Sequence, residues 1–387
     1  MKNAFAMRKI EMVDLKAQYQ KIKVEIDHAI QEVVDSAAFI SGKPVQDFAR
    51  DLEAYLGVKH VIACANGTDA LQIAMMALGL QEGDEVICPS FTYFATAEVI
   101  ALLKLTPVFV DVNDRTFNME AGEVEKAITH KTKAIVPVNL YGQSVDIEPL
   151  IALGMKFNIP LIEDNAQAIG GEYVFGDGRV KKTGTMTAIG TTSFFPSKNL
   201  GCYGDGGALT THDDELAEKI RMIANHGQRT RYYHEMIGVN SRLDTIQAAV
   251  LKIKLRHLDE YAEARKKAAD FYDRAFSGQL KIKIPYRSPN VMHVFHQYTL
   301  TVDENRNELV EFLKQKHIPA MVYYPVLCHS QNAFAHGSPY GKGVARVCGE
   351  LKNSFWLSDR VLSLPMHTEL DEEQLDYITK TVLEFYN

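Results

Sequence analysis

The sequence predicts an α/β fold with two parts: a large, mainly parallel sheet with helices on both faces, and a smaller C-terminal α+β domain. Two features of the 387 residues predict it. Short β-rich runs alternate with helical patterns over the first two thirds of the chain, as in parallel sheets joined by helical crossovers. These runs are continuously apolar rather than alternating, which is typical of strands covered on both faces.

Five apolar runs supply the predicted strands: VIACAN from Val61, EVICPS from Glu85, PVFVDV from Pro107, AIVPVNL from Ala134 and PLIEDN from Pro160. Helical patterns follow the first two runs, in DALQIAMMALGL and ATAEVIALLKL. Ligands of such sheets bind at the carboxyl ends of the strands. The polar residues that end the runs should therefore converge on one crevice; they are Asn66 with Gly67 and Thr68, Ser90 to Tyr93, and Glu163 to Gln167.

The C-terminal third of the chain has a different sequence pattern. SRLDTIQAAVLKIKLRHLDEYAEARKKAADFYDRAF reads as one long helix, because apolar positions recur at helical spacing. A strand-like HQYTLTV, a helix near Glu308 to Lys316, VLSLPMH and a final helix from Glu372 follow. We expect residues 1–255 to form the large domain and residues 256–387 the small one. We interpret the insert-like segment GEYVFGDGRVKKTGT as a loop.

Composition excludes several classes of protein. Apolar residues make up 46% and the formal charge is −7, which is ordinary globular usage with no sign of a nucleic-acid partner. No apolar run approaches the roughly 20 residues that span a bilayer, and the N-terminal residues lack the apolar stretch of a secretory signal. The five scattered cysteines predict reduced thiols and a cytoplasmic location. The thirteen histidines show no ligand spacing, so we expect no metal.

The segment TTSFFPSKNLGCYGDGGALTT contains the first candidate catalytic residue, Lys198. Four glycines follow it within a few residues and indicate unusual backbone angles or a close approach to another group. A lysine beside apolar residues should have a lowered pKa, the condition for Schiff-base chemistry. A solvated lysine in a flexible loop is the alternative.

Three other segments suggest parts of the same site. Asp164 ends a buried run, where a carboxylate needs a cation such as a pyridinium nitrogen, unless it is a surface or capping residue. Thr68 lies in a Gly-Thr turn before a helix, which could bind an anion or simply cap the helix. Tyr93, in SFTYFAT, could stack on a flat ring or pack in the core.

The order and spacing of these motifs resemble the DegT/DnrJ/EryC1/StrS family of sugar aminotransferases, from IEMVDLKAQYQ to LSLPMH. The resemblance implies a fold-type-I enzyme that uses pyridoxal 5'-phosphate. It makes Lys198 the Schiff-base lysine and Asp164 the partner of the pyridine nitrogen. Gln167 would lie near the ring hydroxyl and Tyr93 on the ring face. The phosphate would be held by three residues: Gly67, Thr68 and Ser193.

The resemblance also implies a homodimer with shared active sites. Asn240, in GVNSRLD, matches an asparagine that reaches the phosphate of the neighbouring subunit. Arg242 would project across the same interface towards the sugar nucleotide. Tyr323 and Tyr324, in VYYP, occupy substrate-binding positions.

The implied reaction transfers an amino group from glutamate, leaving 2-oxoglutarate, to a nucleotide-linked keto sugar. The motifs are most similar to those of enzymes that aminate C3, including a group acting on UDP-2-acetamido-3-oxo-glucuronate in surface-polysaccharide or lipopolysaccharide synthesis. That group usually has histidine where this chain has Tyr323. A dTDP-linked 3-keto-6-deoxyhexose, or a non-oxidised 3-keto sugar on UDP, therefore stays open, as does C4 amination.

Rival classes fit the sequence less well. Dehydratases of the same family replace the Schiff-base lysine with histidine, and Lys198 is present. A cysteine desulfurase needs a catalytic cysteine in a mobile loop, and the sequence identifies none of the five cysteines as such a residue. A binding or regulatory protein derived from this fold would be expected to have lost Lys198 or Asp164.

Overall fold

A computed structural model of the chain describes residues 8–335, 338 and 345–386. The helices are α1 (Leu15–Ser36), α2 (Lys43–Leu56), α3 (Gly67–Ala77), α4 (Ala95–Leu102), α5 (Ala121–Ala127), α6 (Ile147–Phe157), α7 (Asp214–Ala224), α8 (Thr245–Leu255), α9 (Leu258–Phe276), α10 (Arg306–Gln315), α11 (Lys352–Arg360) and α12 (Glu372–Tyr386). The strands are β1 (His60–Cys64), β2 (Glu85–Pro89), β3 (Thr106–Val110), β4 (Thr132–Ile135), β5 (Ile162–Asp164), β6 (Glu172–Val174), β7 (Val180–Lys182), β8 (Ile189–Ser193), β9 (Gly207–Thr211), β10 (Gln228–Thr230), β11 (Tyr233–His234), β12 (Ile282–Lys283), β13 (Val291–Met292), β14 (Tyr298–Val302), β15 (Arg346–Val347) and β16 (Val361–Leu364).

The central sheet consists of two four-stranded parts. One has the order β15-β3-β2-β4, with every neighbouring pair parallel. The other has the order β1-β9-β8-β5, in which β5 and β8 are parallel and β9 is antiparallel to both its neighbours. Parallel bridges from Ile135 to Leu161 and from Val138 to Asp164 join the two parts. The predicted α/β fold with a mainly parallel sheet is confirmed.

Separate apolar clusters fill the two faces of this sheet. One contains α3, α4 and α7 residues and another contains residues of α5 and α6. Since both faces are covered, the strands need no alternation of apolar and polar residues, and β2 is buried at every position. The continuous apolar runs in the sequence therefore have a direct cause in the layering.

A second core lies around the three-stranded antiparallel sheet β12-β14-β16. Helices α9, α10 and α12 pack on it, and Ile10 from the N-terminal segment joins it. The division at residues 255 and 256 stays a prediction.

Two details of the sequence interpretation were wrong. The predicted single helix is two helices, α8 and α9, because His257 has φ −103° and ψ 2°, outside the helical region. Helix α8 packs against α1 and α2, whereas α9 packs in the C-terminal core. The segment GEYVFGDGRVKKTGT, interpreted as a loop, contains the hairpin β6–β7, which is stabilised by pairing of β6 with β13.

Candidate active site

The carboxyl end of β5 presents Asp164 to the interior of the protein. Only 5% of this residue is exposed. The Thr96 hydroxyl, in the first turn of α4, donates to Oδ2 at 2.8 Å, and the backbone N–H of Ala166 donates to Oδ1 at 3.1 Å. Burial raises the pKa of the Asp164 carboxyl, and these two donors and the charge of Lys198 offset only part of that rise.

Lys198 lies in the loop between β8 and β9. The loop is closed by hydrogen bonds from Lys198 N to Phe195 O and from Cys202 N to Phe194 O, both 2.8 Å. A Cβ on Gly201 would lie 2.3 Å from Pro196 O, so glycine is required where the loop turns back on itself. Desolvation lowers the pKa of Lys198 to about 8, against an opposing effect of the Asp164 charge. A lysine with such a pKa is a nucleophile near neutral pH.

The N-terminus of α3 faces the same space. Asn66 caps the helix, its Oδ1 accepting from Asp69 N at 2.8 Å, and Gly67 and Thr68 form the first turn. A Cβ on Gly67 would lie 2.7 Å from Cβ of Ser193, so the glycine lets the end of β8 approach the helix terminus. The first-turn N–H groups and nearby hydroxyls make this a suitable anion site.

Gln167 and the tyrosine pair form another wall. Oε1 of Gln167 accepts from Tyr141 N at 2.8 Å, and Nε2 donates to the Tyr324 hydroxyl at 3.1 Å. The Tyr93 ring is 59% exposed, and its centroid lies 6.0 Å from that of Tyr324. Tyr93 therefore lines the cavity while most of its side chain stays exposed.

These elements enclose a cavity of about 620 Å³. Nine of the residues predicted from the sequence line it: Gly67, Thr68, Tyr93, Asp164, Gln167, Ser193, Lys198, Tyr323 and Tyr324. The expected convergence of strand ends thus produces one chamber, lined both by the N-terminus of α3 and by the buried carboxylate of Asp164.

Asn240 and Arg242 lie outside this chamber. Asn240 is exposed and forms a β-bridge with Asn225, whose Oδ1 accepts from Nη1 of Arg242 at 3.2 Å. Their predicted roles involve a neighbouring subunit, so those roles stay predictions.

Sequence interpretation missed several residues of the site. Thr96 does not line the cavity but donates to Asp164; it is 1% exposed and, with Glu98, is one of the two polar residues of α4, and it was not singled out. His296 and Gln297 also line the cavity. They directly precede β14 and were treated only as part of a strand-like run. Only their position in the folded structure, and no local sequence pattern, identifies them as cavity residues.

Within the described part of the chain, no cluster of three or more His, Cys, Asp or Glu residues could hold a metal ion. The described helices are all too short or too polar to cross a bilayer.

Comparison with known protein families identifies the family to which this fold and site belong. Residues 20–383 match the model of the DegT/DnrJ/EryC1/StrS aminotransferase family. The chain belongs to this family. It is a sugar-aminotransferase relative over practically its whole length, as the sequence motifs predicted.

Three relatives of this family member have 42–45% identity. A "pleiotropic regulatory protein" of Geobacillus stearothermophilus is 45% identical, covering 97% of this chain and 98% of the relative. A UDP-2-acetamido-2-deoxy-3-oxo-D-glucuronate aminotransferase of Pseudomonas aeruginosa is 45% identical, with coverages of 95% and 98%. A UDP-N-acetyl-3-dehydro-α-D-glucosamine 3-aminotransferase of Acidithiobacillus ferrooxidans is 42% identical, with coverages of 96% and 97%.

Solved structures agree with this assignment. A family aminotransferase from Brucella abortus has a TM-score of 0.91 and 40% identity, covering 98% of this chain and 100% of that one. The Bacillus subtilis protein NtdA, solved with its bound cofactor PMP, has a TM-score of 0.88 and 29% identity, with coverages of 99% and 86%. The fold-type-I aminotransferase fold predicted for this family member is confirmed.

Proposed function

We propose that this chain is a pyridoxal-phosphate aminotransferase that transfers an amino group from glutamate to the C3 keto group of a UDP-linked sugar. The product would be an amino sugar for surface polysaccharide or lipopolysaccharide. The observation that carries the proposal is the shared cavity of Lys198 and Asp164, in which each group affects the pKa of the other. Two relatives with 42–45% identity are named for UDP-linked 3-oxo sugars.

The residues that line the cavity fit both the phosphate and the ring nitrogen of pyridoxal phosphate. The N-terminus of α3, with Thr68 and Ser193 beside it, suits the phosphate. Asp164 is a buried carboxylate with no ion pair among the described residues, and the positively charged ring nitrogen of the cofactor would supply its counter-charge. Gln167 and Tyr93 also line the cavity and would contact the ring.

The roles of the residues follow from this placement. When bound, pyridoxal phosphate supplies an electron sink for the charge left at a substrate carbon. Lys198 Nζ would hold the cofactor and would also be the base that takes a proton from the substrate carbon and returns it. A pKa of about 8 leaves a useful fraction of the amine unprotonated near neutral pH. Asp164 would hold the ring nitrogen of the cofactor and, by its negative charge, favour the protonated form of that nitrogen.

The proposed active unit is a homodimer with shared sites. Asn240 is exposed and does not line the cavity of its own chain, as expected of a residue that serves a partner. Arg242 lies beside it and would reach the sugar nucleotide of the partner's cavity. Light scattering would show a dimer, and Asn240→Ala would weaken cofactor binding without disturbing the fold of the subunit.

Tyr323 indicates which class of sugar the enzyme prefers. A histidine there could offer a cation to a C6 carboxylate, whereas the Tyr323 hydroxyl offers only a neutral hydrogen bond. Burial also raises the pKa of Tyr323, which keeps the hydroxyl neutral. This favours a non-oxidised sugar, and it makes a dTDP-linked 3-keto-6-deoxyhexose the second candidate.

A substrate panel tests these assignments. Purified enzyme loaded with pyridoxal phosphate is given each amino-sugar nucleotide with 2-oxoglutarate, and glutamate formation is followed. Activity with a UDP-linked 3-amino sugar supports the proposal, and activity only with the dTDP-linked sugar supports the second candidate. Glutamate formation by Lys198→Ala at the wild-type rate, or no activity on any sugar, would contradict it.

A purely regulatory role, which the name of the Geobacillus relative suggests, is disfavoured by the cavity. A buried carboxylate and a desolvated lysine both cost stability. Their presence in one cavity is explained by the proposed transamination and not by a regulatory role. We further propose a cytoplasmic location, because all five cysteines are free.

A further inference from the structure

Tyr141 is a buried tyrosine that is hydrogen-bonded to residues of the cavity without lining it. It lies in the connection between β4 and α6, and only 2% of it is exposed. Its ring packs edge-on against Phe117, with 5.2 Å between the ring centroids. Three cavity residues from separate parts of the chain, Gln167, Gln297 and Tyr323, each form a hydrogen bond with Tyr141.

The backbone of Tyr141 makes two of these hydrogen bonds. Its N–H donates to Oε1 of Gln167 at 2.8 Å, and its carbonyl oxygen accepts from the N–H of Gln297 at 3.2 Å. The next residue, Gly142, accepts from the N–H of Val294 at 2.9 Å. Tyr141 has φ +57°, a left-handed conformation that residues other than glycine seldom adopt. These hydrogen bonds hold the turn in that conformation and fix the direction of the Tyr141 side chain.

The side chain of Tyr141 makes the third hydrogen bond. Its hydroxyl donates to the backbone carbonyl of Tyr323. The adjoining residue, Tyr324, has a hydroxyl that accepts from Nε2 of Gln167 at 3.1 Å. Since Gln167 also accepts from the Tyr141 N–H, a closed ring of hydrogen bonds connects Tyr141, Gln167 and the tyrosine pair. One buried turn thus sets the distance between two walls of the cavity.

A second buried tyrosine shows what an ordinary core hydroxyl does in this fold. Tyr272 is fully buried, and its hydroxyl donates to the carbonyl oxygen of Pro365 at 2.9 Å. Neither of these two residues lines the cavity. Both tyrosines therefore satisfy a buried carbonyl group, but only Tyr141 does so for a residue of the cavity wall.

We propose that Tyr141 is a positioning residue for the sugar substrate, because its hydroxyl holds the segment that carries Tyr323. Tyr323 is the residue assigned above to the choice of sugar, so this inference rests on the proposed function. The carboxylate of Asp164 is held by Thr96 and Ala166 instead. Loss of the Tyr141 hydroxyl should therefore weaken binding of the sugar and leave the groups that act on the cofactor in place.

The first test compares Tyr141→Phe with its matched control, Tyr272→Phe. Each variant keeps the ring and removes one buried hydroxyl, so urea unfolding should show a similar loss of stability in both. With the loaded enzyme, Tyr141→Phe should raise the KM of the sugar nucleotide about five- to tenfold. Its kcat and its KM for glutamate should change less than about twofold. Tyr272→Phe should keep all three kinetic constants near the wild-type values.

The second test uses hydrogen exchange of cofactor-free protein and needs no catalysis. The N–H of Met321, two residues before Tyr323, donates to the carbonyl oxygen of Ser363 at 3.0 Å, so its exchange reports opening of this segment. Exchange at Met321 should be about fivefold faster in Tyr141→Phe, as expected for the loss of one hydrogen bond. Tyr272→Phe should change it less than about twofold, because Ser363 stays paired with β14.

The outcomes of the two tests are distinct. If Tyr141→Phe does not fold, Tyr141→Leu, which also lacks the hydroxyl, takes its place in both assays. Wild-type exchange at Met321 or a wild-type KM for the sugar nucleotide in the Tyr141 variant would overturn the proposal, as would equal changes in Tyr272→Phe. A wild-type enzyme that is inactive on every sugar would instead refute the proposed function, while faster exchange would still confirm that Tyr141 holds the Tyr323 segment.

Discussion

Replacing Asp164 by asparagine separates the function of this carboxylate from its place in the fold. Asparagine fits the existing hydrogen bonds: its oxygen can accept from Ala166 N, and its amide can donate to the Thr96 hydroxyl, which is both donor and acceptor. The variant also removes a buried charge that has no ion pair among the described residues. We therefore expect the free energy of unfolding to stay the same or rise by about 1–2 kcal/mol.

Turnover should respond in the opposite way. Without the negative charge the ring nitrogen of the cofactor loses its counter-ion, and we expect kcat to fall at least about 100-fold. Thr96→Val is the matched control, because it removes one hydrogen bond to Asp164 and keeps the charge. It should cost about 1–3 kcal/mol of stability and far less activity.

Urea unfolding and glutamate formation measure the two effects on the same samples. The pKa of Asp164 is raised in the folded chain, so the folded state binds more protons and wild-type stability falls as pH rises above the unfolded pKa near 3.8. Asp164→Asn should flatten that part of the stability curve. Turnover within a few-fold of wild type in Asp164→Asn would refute the assigned role.

Three further predictions concern titration, packing and specificity. The pH midpoint of Lys198 acylation in cofactor-free protein should lie near 8, and Asp164→Asn should lower it, because the Asp164 charge raises the pKa of Lys198; a midpoint near 10.5 would contradict the desolvation argument. Gly207→Ala should cost about 1–3 kcal/mol in urea unfolding, since its Cβ would lie 2.4 Å from the backbone of Asn66. The Cβ of Gly122→Ala would meet nothing within 4 Å in α5, so this variant should raise the free energy of unfolding by about 0.5–1 kcal/mol. Equal changes in the free energy of unfolding for the two alanine variants would be inconsistent with this packing. Tyr323→His should raise the preference in kcat/KM for a uronate over a neutral sugar about tenfold, as one charge-assisted hydrogen bond would; an unchanged preference would place the C6 group elsewhere.

The large sheet could be predicted from the sequence because each of its strands is identified by a local run of apolar residues. Each apolar run carries its own strand, and the polar residues at the strand ends, such as Asp164 and Thr68, must meet at one edge of a parallel sheet. Lys198 and its glycine-rich loop are also local in sequence. These features could be read without knowing any contact.

The remaining parts of the site depend on distant pairs. Thr96 meets Asp164 across 68 positions, and Arg265 holds the backbone at residues 30 and 31 positions away. No local pattern marks such pairs, so Thr96 and His296 were missed. The break at His257 was hidden for the same reason, since apolar spacing continues through it while the two helices pack on different cores.

Chemical trapping of the cofactor identifies the lysine that binds it. The protein is incubated with pyridoxal phosphate, reduced with borohydride and digested, and the modified peptide is identified by mass spectrometry. We expect one modified residue, Lys198, and loss of that product in Lys198→Ala. Modification of another lysine instead, or none at all, would contradict the assignment of this cavity as the catalytic site.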